Sequence, residues 1–343
     1  MKGKLLETKF ESVIPGVGGL FCRLACFGAV ILICSDAAAQ NLFVSGQMPP
    51  KNCPSGCGAI YGFTWDGRQS IYAAGLTNPW DVAFDNAGNL FVVDQERSGL
   101  AGDATIYKIT PSGARTMFAR GMSYPSYLTA DSAGNLFVAD YNQGVIYEYK
   151  PTGLRSTFAA GLYHPVGMAV DRSGNLFVAD NSIGNIRQGS IYQYTPAGSR
   201  TTFAILNPGD RPTDLAFDPF GNLLMADLDG KIFKYFMTTP LKPHNPIVFG
   251  SVPGSAQSLA FDSAGNLLVV AGAVDSTPLG TAASNAIYKF TPQGVRSSFA
   301  SAQELGQTFA CLAFRQMACC EENYPTSIAT PTPRPRPTPA PRP

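Results

Sequence analysis

One short string, Gly-Asn-Leu followed by Phe or Leu, recurs along the 343-residue chain and constrains its fold more than any other feature. Its Asn stands at positions 89, 135, 175, 222 and 266, and Asn41-Leu-Phe-Val is a sixth copy that lacks the Gly. Successive copies are 40 to 48 residues apart. A period of that size is typical of one supersecondary unit per copy, repeated in a propeller or a solenoid.

Four segments with strand character align in each copy. They are rich in Val, Ile, Phe, Tyr and Thr, and turn residues separate them. The second segment is the recurring string itself, the third carries Ile-Tyr or Ile-Phe, and the fourth ends near an aromatic residue. Six copies of four segments predict an all-β chain with no helix between the strands.

The turn between the first and second segments has the repeated form Asp-x-x-Gly-Asn, for example at 131–135 and 171–175. An Asp side chain accepts backbone hydrogen bonds two residues on, and Gly adopts the left-handed conformation that closes a short hairpin. A calcium loop would need more oxygen ligands at closer spacing. The repeated Asp is therefore predicted to be a turn residue.

The two ends of the array differ from its interior. The array begins with a second-type segment at Asn41 and ends with a first-type segment at Phe314. This arrangement predicts that the last strand pairs beside the first and closes a ring, which removes exposed sheet edges. An open solenoid would need polar caps, and none is visible in the sequence. Residues 40–320 are thus predicted to form a six-bladed β-propeller of four antiparallel strands per blade, closed by pairing of the N-terminal strands with the C-terminal strand.

The segments flanking the array have other compositions. Residues 1–39 combine basic residues, an apolar run at 24–34 and small residues at 37–39, which predicts a signal peptide and export to the periplasm, the cell surface or the medium. The alternative is a buried helix of the folded domain. Residues 321–343 are rich in Pro, which favours an extended polyproline II tail acting as a spacer or touching anionic polymer. No transmembrane segment is expected after cleavage.

Five cysteines remain after that cleavage. An exported protein can form disulfides, but the odd number leaves at least one thiol unpaired within a monomer and the pairing open. A metal clip at Cys53 and Cys57 is not favoured, because no second Cys pair or His pair stands at metal-ligand spacing. The candidate disulfide cysteines are Cys53, Cys57, Cys311, Cys319 and Cys320.

Composition excludes several classes of function. The net charge is +1 and charged residues make up 14% of the chain, so there is no basic field for nucleic acid. Only two His occur, and there is no Gly-x-Ser-x-Gly elbow, phosphate loop or zinc-protease helix. The sequence predicts no cofactor, no bound metal and no assignable catalytic residue.

The stretch from Pro165 to Asp180, PVGMAVDRSGNLFVAD, followed by Ile191-Tyr-Gln-Tyr, resembles an NHL repeat. The whole array, about 280 residues, is similar to secreted NHL and gluconolactonase-like six-bladed propellers. In the metal-dependent lactonases of that superfamily, Asp or Asn residues early in the first strand of a blade hold the metal. None of the matching residues is an acid or Asn, so the resemblance implies the fold without that metal site. These residues are Trp80, Ser126, Val166, Thr213, Gln257 and Ala310.

The loops between second and third segments vary most and are predicted to lie on the same face as the starts of the first segments. Candidate ligand-binding residues on that face are Trp80, Asp81, Tyr127, His164 and Asp214. The alternatives are hydrogen bonding at strand starts for the two acids and filling of inter-blade space for the aromatics. A separate set of acids ends the second segments and is predicted to cap the loops that follow: Asp94, Asp140, Asp180 and Asp227.

These features predict an exported, monomeric, non-catalytic propeller that binds a protein, a glycan or a small ligand on its loop-bearing face. One alternative is a lactone or ester hydrolase with a rearranged site around Asp81, His164 and Asp214. Another is a structural protein of the cell envelope.

Overall fold

The computed structural model describes residues 42–47, 58–64, 67–95, 104–181, 188–237, 246–272, 286–301 and 308–314. They belong to one compact unit, Asp36–Gln316. The second unit, Met1–Ser35 with Met317–Pro343, lies outside the described residues. The predicted signal peptide, the predicted tail and the other four candidate cysteines therefore fall outside the described ranges, and Cys311 falls within them.

The described residues form 24 β-strands, and none of them lies in a helix long and apolar enough to cross a membrane. In chain order the strands are β1 (Leu42–Gln47), β2 (Gly58–Phe63), β3 (Gln69–Leu76), β4 (Pro79–Phe84), β5 (Leu90–Asp94), β6 (Thr105–Ile109), β7 (Arg115–Arg120), β8 (Pro125–Ala130), β9 (Leu136–Asp140), β10 (Val145–Tyr149), β11 (Arg155–Ala159), β12 (Pro165–Val170), β13 (Leu176–Asp180), β14 (Ser190–Tyr194), β15 (Arg200–Ile205), β16 (Pro212–Phe217), β17 (Leu223–Asp227), β18 (Lys231–Tyr235), β19 (Ile247–Ser251), β20 (Ser255–Phe261), β21 (Leu267–Gly272), β22 (Ala286–Phe290), β23 (Arg296–Ser301) and β24 (Thr308–Phe314).

The strands form six antiparallel sheets of four, which are the blades of a propeller. Five blades take four consecutive strands each, from β4–β7 to β20–β23. The first strands of the blades, β4, β8, β12, β16, β20 and β24, contact one another in succession and form the inner wall of the ring. The remaining blade has the order β24-β1-β2-β3, with Leu42 opposite Phe314. The predicted architecture and the predicted ring closure are both confirmed.

Burial explains why so few residues are charged. The second strand of a blade, such as β9 or β13, is buried along its whole length because neighbouring blades cover both of its faces. Outer strands such as β11 begin with three exposed residues. Charged residues thus lie mainly on the third and fourth strands and in the turns, apart from Asp81 and Asp214 in inner strands and the Asp that ends four of the second strands.

The Asp-x-x-Gly-Asn turns have the predicted geometry. At 171–175, Asp171 Oδ1 accepts a hydrogen bond from the Asn175 backbone N–H at 2.8 Å, and its Oδ2 accepts one from Asn175 Nδ2 at 2.8 Å. Gly174 has a φ of 81°, in the left-handed region. The same carboxylate also accepts a bond from the Ser173 N–H. The structural role predicted for the turn Asp is confirmed.

Replacing Asp171 with Ala should destabilise the protein by about 1–3 kcal/mol, because three hydrogen bonds lose their acceptor. The urea midpoint measures this loss. Ser173→Ala is the control, since it keeps the backbone N–H that bonds to Asp171. Equal midpoints for the two variants would show that the side chain is not what holds the turn.

Candidate functional site

Each inner strand carries a β-bulge close to its start. Two residues of the inner strand stand opposite one residue of the second strand, as at Ser126 in β8 and at Gly167 in β12. The other four inner strands show the same register shift. A bulge re-aims side chains and interrupts the ladder of hydrogen bonds. It sets one ring of positions at the same level of the inner wall: Asp81, Tyr127, Gly167, Asp214, Ser258 and Cys311.

The polar members of this ring bond to the next blade. Asp81 Oδ2 accepts a hydrogen bond from the Leu128 N–H at 2.6 Å, and Asp214 Oδ2 accepts one from the Leu259 N–H at 2.8 Å. Asp214 Oδ1 also accepts the Leu215 N–H at 2.8 Å. Because the acceptor and the donor lie on adjacent inner strands, each carboxylate links two blades. Hydrogen bonding at the strand starts is therefore the role that the structure shows for both acids.

Asp81 and Asp214 lie on opposite inner strands, three positions apart in a ring of six, and both are buried, at 6% and 9% exposure. Burial raises the pKa of Asp81 to about 6. Burial and, secondarily, the charge of Asp81 raise the pKa of Asp214 to about 8. The centre of the ring thus holds one ionised and one protonated acid near neutral pH.

Cys311 and Tyr127 complete this buried cluster. Cys311 is a free thiol that shares a hydrogen bond with Asp81, so the structure does not use it in a disulfide. Burial and the two nearby carboxylates raise the pKa of the Cys311 thiol well above its usual value. Burial, reinforced by Cys311, Asp214 and Asp81, does the same to the pKa of the Tyr127 hydroxyl. Deprotonation of Cys311 or Tyr127, which would add a negative charge to the cluster, is therefore unfavourable.

The described residues contain no group of three or more His, Cys, Asp or Glu side chains placed to hold a metal ion. Within the ring, Asp81 Oδ2 and both oxygens of Asp214 accept hydrogen bonds from backbone N–H groups. His164 stands elsewhere, with its ring stacked on Tyr141 at a centroid distance of 4.4 Å. The structure thus brings Asp81, Tyr127 and Asp214 together and leaves His164 outside that cluster.

A pocket of about 280 Å³ opens beside the ring, between the blades that begin with β4, β8 and β12. Trp80 and Tyr127 line it, as two of the predicted ligand-binding residues, whereas Asp81, His164 and Asp214 do not. The charges of Cys311, Asp214 and Asp81 help to raise the pKa of the Tyr127 hydroxyl, so this residue belongs to both the pocket and the cluster. We call this pocket the mouth pocket. Its full lining is Trp80, Tyr124, Ser126, Tyr127, Tyr141, Asn142 and Val166.

Sequence reasoning did not select Tyr124, Ser126, Tyr141 or Asn142 as site residues. Ser126 is only 2% exposed, and its Oγ has no hydrogen-bond partner among the residues that the structure describes. Tyr141 and Asn142 belong to a connection of four residues between β9 and β10. That short connection, where four other blades have nine or more residues, was the available signal.

The acids that end the second strands act as caps, and each of them also bonds to the segment before the inner strand, which was not predicted. Asp180 accepts hydrogen bonds from the backbone N–H groups of Tyr163 and His164, at 3.0 and 2.8 Å. Both residues lie just before the inner strand β12. Asp94 does the same, and Asp140 and Asp227 also bond to the loop that follows, as predicted. Residues 96–103 and 182–187, in the loops after Asp94 and Asp180, lie outside the described residues. The reason is geometric, since the start of the inner strand is adjacent to the end of the second strand. Asp180 thereby fixes the backbone of His164, whose ring packs on the pocket wall.

No protein-family model and no curated protein matches the sequence. Among solved structures, a candidate gluconolactonase is similar with a TM-score of 0.55 and 17% identity, over 70% of this chain and 82% of its own. A gluconolactonase from Xanthomonas campestris has a TM-score of 0.53 and 15% identity, over 77% and 86%. A protein of unknown function from Bacteroides caccae has a TM-score of 0.55 and 14% identity, over 81% and 100%. The chain therefore adopts the six-bladed β-propeller fold that gluconolactonase-like proteins share.

Proposed function

We propose that this protein is an exported, non-catalytic propeller that binds a small ligand in the mouth pocket. The observation that carries the proposal is a concave pocket that combines aromatic side chains with a buried Ser126 hydroxyl lacking a described partner. Small-molecule sites are typically concave, mostly apolar, and supplied with a few placed polar groups. Export is supported by the N-terminal sequence pattern, and the intact mass of the purified mature chain tests it.

The chemistry of the buried acids supports binding over catalysis. A general base needs a free oxygen within reach of the proton that it removes. Asp81 Oδ2 and Asp214 Oδ2 instead join adjacent blades, and Asp214 Oδ1 accepts the Leu215 N–H. The pocket itself is lined by neutral side chains, so the residues that would touch a ligand offer contact and hydrogen bonds.

Replacing Trp80 with Ala should weaken ligand binding at least tenfold, because its side chain is 38% exposed and forms one wall of the pocket. Ligand-observed NMR of the mature chain against methyl glycosides, amino acids, choline and small carboxylates measures this. Phe220→Ala is the matched control, since Phe220 is 74% exposed and is not among the residues that line the pocket. Loss of binding in both variants, or in neither, would contradict the assignment of the site.

A lactone or ester hydrolase is the second candidate. It is favoured by the convergence of Asp81, Asp214 and the Tyr127 hydroxyl at the centre of a fold that is also found in gluconolactonases. Turnover of lactones with and without added calcium or zinc separates the two candidates. Metal-dependent hydrolysis that is lost in Asp81→Asn would replace the binding proposal with the enzymatic one.

A further inference from the structure

The mouth pocket has a distinct chemical character. Two of its aromatic side chains, Trp80 and Tyr124, remain more than a third exposed, although a propeller buries most of its aromatic rings between blades. Tyr124 also contacts Tyr141, with 6.0 Å between ring centroids, and Tyr141 stacks on His164. The pocket therefore has flat, partly solvated aromatic walls, and Tyr124 and Tyr141 are supported by these contacts between rings.

The polar groups of the pocket are all uncharged. Ser126 and Asn142 each offer a donor and an acceptor, and no acidic or basic side chain is among the described residues that line it. An ionised ligand would find no counter-charge on this lining. Bringing an unpaired charge into such a site is costly. The lining therefore favours a neutral ligand.

Quaternary ammonium ions are the main alternative, because aromatic walls also attract cations. Such an ion neither donates nor accepts hydrogen bonds, so it would cover Ser126 Oγ and leave it without a partner. A buried hydroxyl without a partner costs free energy. A ligand hydroxyl both donates and accepts, and satisfies Ser126 and Asn142 together.

On the basis of the proposed function, we infer that the mouth pocket binds one neutral sugar ring. The ring packs against the aromatic walls and forms hydrogen bonds with Ser126 and Asn142. The apolar C–H face of such a ring matches a flat aromatic wall, while its hydroxyl groups meet the serine and the amide. A volume of about 280 Å³ lies just below the range of about 300–1,000 Å³ for small-molecule pockets. The pocket therefore accommodates a single ring, with any further units of a glycan lying outside it.

The test uses Trp80 as its own reporter. The chain has two tryptophans, so a Trp65→Phe background leaves Trp80 as the single one. Its fluorescence is titrated with methyl glucopyranoside, galactopyranoside and mannopyranoside, and separately with tetramethylammonium. We expect at least one methyl glycoside to bind, and Ser126→Ala to weaken that binding about tenfold.

Stability supplies the matched control. If Ser126 Oγ has no partner in the free protein, Ser126→Ala should leave the urea midpoint unchanged or raise it, so the loss of sugar binding cannot be attributed to unfolding. Asn142→Asp adds a charge at the partly solvated edge and should also weaken binding of the methyl glycoside. Tetramethylammonium binding without sugar binding would overturn the sugar assignment and leave the pocket itself supported. Failure of every probe, including those used for the Trp80→Ala test, would overturn both proposals.

Discussion

Gly167→Ala is expected to yield little or no folded protein. Gly167 lies in the bulge of β12, where a Cβ atom would stand 2.5 Å from the Cα of Asp214 and 2.9 Å from the Leu215 backbone nitrogen. These are backbone atoms of the next blade, so no side-chain rotation relieves the overlap. The φ of 31° adds strain for any residue with a side chain. A cost above about 3 kcal/mol is expected, a large share of the typical 5–15 kcal/mol of a folded domain.

Soluble yield and the urea midpoint measure this effect. Gly113→Ala is the matched control, because Gly113 has a φ of 85° with no atom within 4 Å of the added Cβ. That variant carries only backbone strain and should lose about 1 kcal/mol. If both variants unfold at the same urea concentration, the close approach of the two inner strands is not limiting.

Asp214→Asn is expected to flatten the dependence of stability on pH. The folded protein holds a proton on Asp214 up to a pKa of about 8, whereas the unfolded chain releases it near 3.8. Between these values the folded state binds more protons, so stability falls as pH rises. Each pH unit over which the folded and unfolded states differ by one bound proton changes the free energy of unfolding by about 1.4 kcal/mol. Because of Asp214, the wild-type protein should therefore lose on the order of 3–5 kcal/mol of stability between pH 4 and pH 8.

The measurement is the urea midpoint of both proteins at pH 5, 6, 7 and 8. Asp81, with a pKa of about 6, contributes the same sign over the lower part of this range, so Asp81→Asn should flatten that part. Because the charge of Asp81 helps to raise the pKa of Asp214, Asp81→Asn should also make the remaining loss of stability end at a lower pH. Asp229→Asn, at an exposed carboxylate in the same blade as Asp214, controls for the loss of an acid. An unchanged slope in Asp214→Asn would show that this carboxyl group is ionised in the folded protein.

The architecture could be predicted from the sequence because the residues within each repeat determine its local backbone structure. The turn at 171–175 specifies its hydrogen bonds through Asp171 and its backbone through Gly174. Its neighbours along the chain repeat the same chemistry. Closure of the ring followed from a missing turn at the ends of the array. None of these inferences needed contacts between distant residues.

The mouth pocket could be read only in part, because it depends on the bulges. A bulge changes which way a side chain points, and the bulged positions share no residue type, as Ser126 and Thr213 show. Trp80 and Tyr127 were selected for their place at the start of inner strands. Tyr141 reaches the pocket from a neighbouring connection, through packing that no repeat pattern encodes.

Closure of the ring also has a kinetic consequence. The Cys311 N–H donates to Ser45 Oγ across 266 residues of chain, and Ser45 Oγ in turn donates to the Trp80 carbonyl. Loop-closure entropy grows only slowly with such a separation, but folding slows as contacts become less local. Five blades can assemble from neighbouring segments during synthesis, while the sixth waits for residues 308–314. The Trp80 wall of the mouth pocket is therefore among the last parts of the molecule to form, and pairing of the first and last strands determines when the complete pocket first exists.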